Sequence, residues 1–452
     1  MKKVIPIIIL TIISAVLIFY RFADIPKYLA FDEVEFTKLA LSLDNKPYIL
    51  YSQLATGHST LYFYILLASL KTFGINTFAL RFPAAIFGIL SVLLFYFVIK
   101  KVFQQLNNET MKQYLPFLLS FILLSSHWFL NFARFSFEAT FLLFLELTSI
   151  YFLTLANAKV KNFLRLGIPR FLRGRFPLEQ KNLLLSVSSN FYLIMSGIFS
   201  GLAFLSYTPG RIFFLLPLGF LLFKKFGQGT ALSLHKNIII KQLLLFLVPF
   251  VIIITPLTSY LMINKDTRID QQFFLKNNEM PINEKINGLW SNISSTALMF
   301  NIKGDVNGRH NYPLKPALNP ILGIFFIIGL TISIKNWKNP YNLFAIIYLL
   351  LSIFPALMTY PWENPNMLRT YTILPSVVYF VSRVIIIFDK LVHKIIKNKT
   401  LKYLILNTLY FILIISCLYE LRTYFKYQST VFKQSFEIKL PLEKAIKVKY
   451  KL

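Results

Sequence analysis

The sequence predicts an all-α, polytopic membrane protein with about eleven transmembrane helices, and three observations predict it. Of its 452 residues 56% are hydrophobic, and the mean hydropathy of +0.59 is too high for an ordinary soluble domain. Apolar stretches of spanning length, roughly 17–25 residues, recur along the chain. Lys and Arg gather in the short connections between them, as cytoplasmic loops do. A formal net charge of +29 would point a soluble protein toward nucleic acid. Here its segregation assigns it to topology and anionic headgroups, so membrane lipids are the expected partner and nucleic acid is not. The single cysteine, Cys417, lies in an apolar stretch and excludes an internal disulfide or a cysteine metal cluster.

Met1-Lys2-Lys3 and the apolar run Val4–Tyr20 have the form of a secretory signal. The exit Phe19-Tyr20-Arg21-Phe22 lacks the small residues of a cleavage site, so the run reads as an uncleaved first span. Hydropathy places further spans at Phe82–Ile99, Tyr114–Leu130, Phe137–Ala156, Phe191–Tyr207 and Ile212–Phe223. The last five are Leu243–Ile263, Ile321–Ile334, Leu343–Met358, Tyr371–Phe388 and Tyr403–Tyr419. Thr60–Phe73 is ambiguous: it is short, carries Lys71 and ends at Gly74.

Charge arbitrates. If Thr60–Phe73 lies in the interface as a juxtamembrane helix, all the basic loops fall on the cytoplasmic side. These are Lys2-Lys3, Lys100-Lys101 with Lys112, Lys159 to Lys181, Lys224 to Lys241, Lys335 with Lys338, and Lys390 to Lys402. The N-terminus is then inside and the C-terminus outside. Residues 1–420 form the membrane domain, with residues 21–81 as the first outer loop and residues 264–319 as a long outer loop suited to act as a lid. Residues 421–452 read as a short basic outer tail. The basic run Arg165 to Arg175 reads as a topology anchor.

With that orientation the polar clusters share the outer face: Asp32-Glu33, His58, Arg134 with Glu138, Tyr207 to Arg211, Arg309-His310, and Glu363 to Arg369. Charged residues from distant loops converging on one face read as one site, since a carboxylate beside hydrocarbon is costly to keep. A carboxylate there can take a proton from a hydroxyl or amine, while Arg holds a phosphate bidentately and offsets charge on it as it leaves. Attack on a sugar anomeric carbon with a lipid phosphate leaving uses both groups, and one base with no covalent intermediate implies inversion. Each residue also has a plainer reading. Asp32 could cap a helix, and Glu33 suits a first turn. Arg134 and Glu138 stand at ion-pair spacing, and Arg211 could be an interfacial anchor.

The run Phe31-Asp32-Glu33, then Gly57-His58-Ser59-Thr60-Leu61-Tyr62-Phe63-Tyr64, and the block from Phe73-Gly74-Ile75 through Leu80-Arg81-Phe82-Pro83 to Gly88 carry a resemblance. So do Asn131-Phe132-Ala133-Arg134-Phe135-Ser136-Phe137-Glu138 and Gly201 to Tyr207-Thr208-Pro209-Gly210-Arg211. From the first span to about Tyr379 the chain resembles the integral-membrane C-type (GT-C) glycosyltransferases. Within them it is similar to the group of dolichyl-phosphate-mannose protein mannosyltransferases and the lipid A aminoarabinose transferase. The resemblance implies a polyprenyl-phosphate-linked sugar donor used on the extracytoplasmic face of the cell membrane, and a lipid, glycan or protein acceptor. It implies that Asp32 is the base or orienting carboxylate, with Glu33 the adjacent acidic position. On this reading Arg134, Arg211 and Arg369 hold the donor phosphate, and His58, Tyr62, Glu138, Tyr207, Arg309 and His310 line the substrate. Some members use a divalent cation and others do not. Asp32, Glu33 and His58 would be its weak candidate set here. Two departures stand out: Gly57-His58-Ser59-Thr60 replaces a stretch where many relatives have Pro, and the C-terminal tail is short where some relatives carry a soluble domain. A transporter or flippase of a lipid-linked substrate is the alternative, and it has little need of Asp32.

Overall fold

The computed structural model describes residues 4–106, 108–157, 178–223 and 232–448. Most of Lys159–Lys181 and the start of the Lys224–Lys241 run therefore lie outside the described residues, as does the basic stretch Arg165 to Arg175. Helices dominate. The chain enters through α1 (Ile5–Phe19), α2 (Phe31–Ser42) and a two-residue hairpin, β1 (Tyr51–Ser52) with β2 (His58–Ser59). Next come α3 (Leu61–Phe73), α4 (Thr77–Val102), α5 (Glu109–Ser125), α6 (His127–Ala133), α7 (Glu138–Ala156), α8 (Leu178–Phe204), α9 (Leu215–Phe223) and α10 (Leu232–Ile263). The second half holds α11 (Thr267–Gln272), α12 (Ile282–Met299), α13 (Pro320–Lys335), α14 (Pro340–Leu357), α15 (Leu374–Ile395) and α16 (Lys399–Arg422). Two short helices, α17 (Ser429–Ser435) and α18 (Leu442–Ala445), close it.

All eleven expected apolar segments are helical. Among the described residues, six helices are long and apolar enough to cross a bilayer, or seven if one bent pair is a single span. That pair is α5 with α6, broken at Ser126 and bent by 67°. The hydropathy window reads straight through this break, because both halves are equally apolar. The remaining expected spans are the shorter apolar helices Ile5–Phe19, Ser189–Phe204, Thr208–Phe223 and Pro320–Lys335. Helix α3 has 13 residues, or about 20 Å at 1.5 Å per residue, short of the roughly 30 Å hydrocarbon core. It buries Tyr62, Phe63, Leu66 and Leu70 beside α2 and α4.

Close helix approach is set by small residues, as expected where lipid removes the hydrophobic drive between helices. A Cβ at Gly329 of α13 would run into the Phe380 carbonyl of α15, and one at Gly197 of α8 into the Phe246 carbonyl of α10. The loops at one end of the bundle meet where Asn108 Nδ2 donates to Asp389 Oδ2 at 3.3 Å. This end also carries Lys100-Lys101 and His393-Lys394 in the last turns of α4 and α15, where cations complement helix carbonyl ends. The loops after α1, α8, α10, α12 and α14 gather at the other end, where Phe273 pairs with Thr359 by backbone.

Helix α16 does not end at the expected boundary near residue 421. It continues through a π-helical turn, Thr423–Gln428, into α17. The basic tail is thus built into the same face as α2.

Candidate functional site

Helix α2 opens the site. Its N-cap is Ala30, which offers no side-chain acceptor, so the first turn takes its capping from elsewhere. Glu33 accepts the Ala30 N–H at 3.1 Å, the reaching-back half of a capping box, and Glu437 accepts the Phe31 N–H at 3.1 Å. Asp32 and Glu33 in the first turn also suit the positive end of the helix dipole.

The two adjacent carboxylates part company here. Glu33 is fully buried and takes both Arg81 donors, Nε at 2.7 Å and Nη2 at 2.8 Å. Arg81 spends its other bonds on the Pro26 and Tyr28 carbonyls, and beside Ala30 N–H and the two Arg81 donors, Ser136 N–H adds a fourth donor to Glu33 at 3.3 Å. With every lone-pair direction committed inside the protein, Glu33 anchors the start of α2 and offers no face to a nucleophile. The catalytic expectation for it is revised on that ground. Asp32 points the other way. Its side chain is 41% exposed and meets Arg309 Nη1 at 2.9 Å.

One helical turn on, Phe36 sets its ring 5.1 Å from His58, and that contact joins Asp32's helix face to a second cluster. His58 Nδ1 lies 2.5 Å from Glu138 Oε1 and Nε2 lies 2.9 Å from the Ala55 carbonyl. Arg268 Nη1 approaches both ring nitrogens at 2.8 Å, and its guanidinium covers the Tyr207 ring at 5.2 Å. Burial of the imidazole pulls its pKa below the ordinary value; Glu138 opposes this and the charge of Arg268 adds to it. Burial likewise raises the Tyr207 hydroxyl, against the pull of Arg268 and Arg369. Glu138 Oε2 is buried and has no hydrogen-bond partner among the described residues. Leaving a buried acceptor unmade costs about 1–3 kcal/mol, and such costs collect at functional sites.

Other expected residues are placed as follows. Arg134 is completely buried and caps the C-terminus of α1, donating to the Leu17, Ile18, Tyr20, Arg21 and Ile25 carbonyls. It neither pairs with Glu138 nor faces a donor, so its phosphate role is corrected. Arg211 pairs with Asp266, which also caps α11 through Ile269 N–H and accepts the Tyr51 hydroxyl at 2.9 Å. Burial raises the Asp266 carboxyl, but Arg211 and these donors outweigh it and hold the pKa below the ordinary value. Arg369 pairs with Glu363. His310 Nδ1 bonds Asp305 at 3.0 Å, and Asp305 also takes Met367 N–H, so this pair staples two loops rather than lining a substrate surface. Tyr62 is fully buried beside Phe63 and Phe141, and among the described residues no contact joins it to the Asp32–Arg309 pair. Among the described residues no three His, Cys, Asp or Glu side chains converge as a cation site. Asp32, Glu33 and His58 do not fit one, since Glu33 is spent on Arg81 and His58 on Glu138.

Arg268, Arg81, Asp266 and Glu437 were not singled out from the sequence. Arg81 did leave a signal: a lone Arg entering an apolar span requires a partner. Arg268 sits in an otherwise polar loop, where nothing marks it.

No family model matches the sequence, and no curated protein matches it. Solved structures do. ArnT from Cupriavidus metallidurans bound to undecaprenyl phosphate superposes with a TM-score of 0.56 at 9% identity, covering 97% of this chain and 77% of that one. The chain has the GT-C fold. The archaeal oligosaccharyltransferase AglB from Archaeoglobus fulgidus, in complex with an inhibitory peptide and a dolichol-phosphate, gives a TM-score of 0.50 at 15% identity. Its apo form gives 0.52 at 16%. This chain is covered to 96% in both cases and spans 56% of the length of that oligosaccharyltransferase. At these identities the likeness is one of GT-C fold.

Proposed function

We propose that the protein is a glycosyltransferase of the cell membrane. It moves a sugar from a polyprenyl-phosphate donor to an acceptor on the extracytoplasmic face, with inversion. The observation that carries this is the Asp32–Arg309 pair: a half-open carboxylate at the loop-rich end of a GT-C bundle, on the helix whose Phe36 packs against His58 of the His58–Glu138–Arg268 cluster. Asp32 takes or orients the proton of an acceptor hydroxyl or amine. The nucleophile's lone pair attacks the anomeric carbon from the side opposite the phosphate, and the anomeric C–O bond breaks with its electrons going to the phosphate.

Arg309 fixes the direction of the Asp32 carboxylate. Arg268, whose guanidinium covers the Tyr207 ring, and Arg369 replace Arg134 as the cations for the leaving phosphate. Arg211 steadies that side through Asp266. Polyprenyl phosphates in the ArnT and AglB complexes support the donor class. The acceptor is a lipid, glycan or protein group bearing a free nucleophile. The test is sugar transfer from a purified polyprenyl-phosphate sugar by protein in vesicles, with Asp32→Asn run alongside.

A further inference from the structure

The chain beyond α16 does not leave the fold; it returns across the catalytic helix. Gln428 Nε2 donates to the Gly308 carbonyl at 3.1 Å, and Gly308 lies so close to α17 that a Cβ there would collide with Ser435 and Val431. Phe436 is buried between the Arg81 guanidinium and the Phe135 ring. Ile438 then pairs with Leu29 by backbone in both directions at 3.0 Å, and Glu437 accepts the Phe31 N–H across 406 residues of sequence. This strap thus touches Gly308, next to Arg309, and the residues on the N-terminal side of Asp32.

We propose that the strap, residues 428–438, clamps the Asp32–Arg309 pair, with Glu437 as a positioning residue for Asp32. The pair is half exposed, and an exposed ion pair holds two segments together only weakly. Phe31 is the first residue of α2, where an N–H has no partner within the helix, and Glu437 accepts it. Fraying of that turn would move Asp32 by an ångström or more, and misplacement of that size costs on the order of 10–100-fold in rate. The effect on turnover rests on the glycosyl-transfer reading; the clamp itself does not.

The experiment uses the full chain with Glu437→Ala, with Glu437→Gln, which keeps an acceptor oxygen, and with Lys433→Ala as an exposed control on the same strap. Hydrogen exchange reports protection over residues 29–36, and kinetics report kcat and donor KM separately. Glu437→Ala should lose protection there and lose kcat on the order of 10-fold with KM nearly unchanged. Glu437→Gln and Lys433→Ala should match wild type, and all four proteins should melt alike. Wild-type protection in Glu437→Ala would overturn the clamp, and lost protection with full kcat would overturn the positioning of Asp32 by Glu437. If wild type turns over no polyprenyl-phosphate sugar, the enzymatic reading falls, and exchange alone decides the clamp.

Discussion

Arg134 and Arg268 carry the same side chain into opposite situations. Arg134 spends its guanidinium on five carbonyls at the end of α1, a demand only a planar fork can meet. Arg268 is held by His58 and the Tyr207 ring at the site itself. Arg134→Lys should therefore cost several kcal/mol of stability, about the penalty of breaking a buried charged network, with donor KM unchanged in the fraction that folds. Arg268→Lys should melt near wild type yet raise donor KM roughly 10-fold, about the worth of one charge-assisted hydrogen bond. Melting curves and donor titrations on both variants check this, and the reverse pattern would swap the two roles. From sequence, the plainer reading of Arg134 was an ion pair with Glu138, four residues on, and the rival reading was a phosphate ligand. The spacing was right, but Glu138 is taken by His58 and Arg134 turns to α1, a choice made by tertiary packing.

At the scale of elements, His58 is the latch. It joins β2 to the start of α7 through Glu138 and to α11 through Arg268, with Tyr207 packed under the same guanidinium. Burial, aided by Arg268 and opposed by Glu138, lowers its pKa in the folded protein. Because the folded value lies below the unfolded one, near 6.5, the unfolded chain binds more protons as pH falls. The latch's contribution is thus whole above about pH 6.5 and is lost progressively below it. Asp266, also held low, acts only beneath its ordinary value of 3.8 and leaves this window clear. The melting temperature should fall as pH drops from about 6.5 to 4.5, and His58→Asn should flatten that slope; equal slopes in the two proteins would remove the latch. The apolar helices were legible because hydropathy alone sets them. The break at Ser126 and the return of the strap were not, since neither alters local composition and the strap's partners lie far along the chain, Gly308 by 120 residues and Phe31 by 406.

For the whole molecule, the polar clusters lie at one end of the bundle and the described basic loops at the other, as the charge segregation predicts. That arrangement makes sidedness testable with exposed positions. Cysteine at Lys46 or Asn287 should react with a membrane-impermeant thiol reagent in intact cells, and cysteine at Lys338 only after permeabilisation. The native Cys417 is buried and gives little background. Labelling at Lys338 in intact cells would turn the site toward the cytoplasm. The grouping of Asp32, His58, Glu138, Tyr207 and Arg309 at one end could be foreseen because they sit in or beside the connections between apolar segments at that end. The division of labour within it was not foreseeable, since it depends on which side chains find partners in burial.

The most direct test of the account is Asp32→Asn in the transfer assay, with donor binding measured separately. The substitution keeps shape and most hydrogen bonding while removing charge and basicity. The account predicts a loss on the order of 10²–10⁴-fold in transfer rate, the range of general acid–base catalysis, with donor affinity nearly unchanged. Full turnover by folded, inserted Asp32→Asn would contradict the catalytic assignment and favour a carrier of lipid-linked substrate.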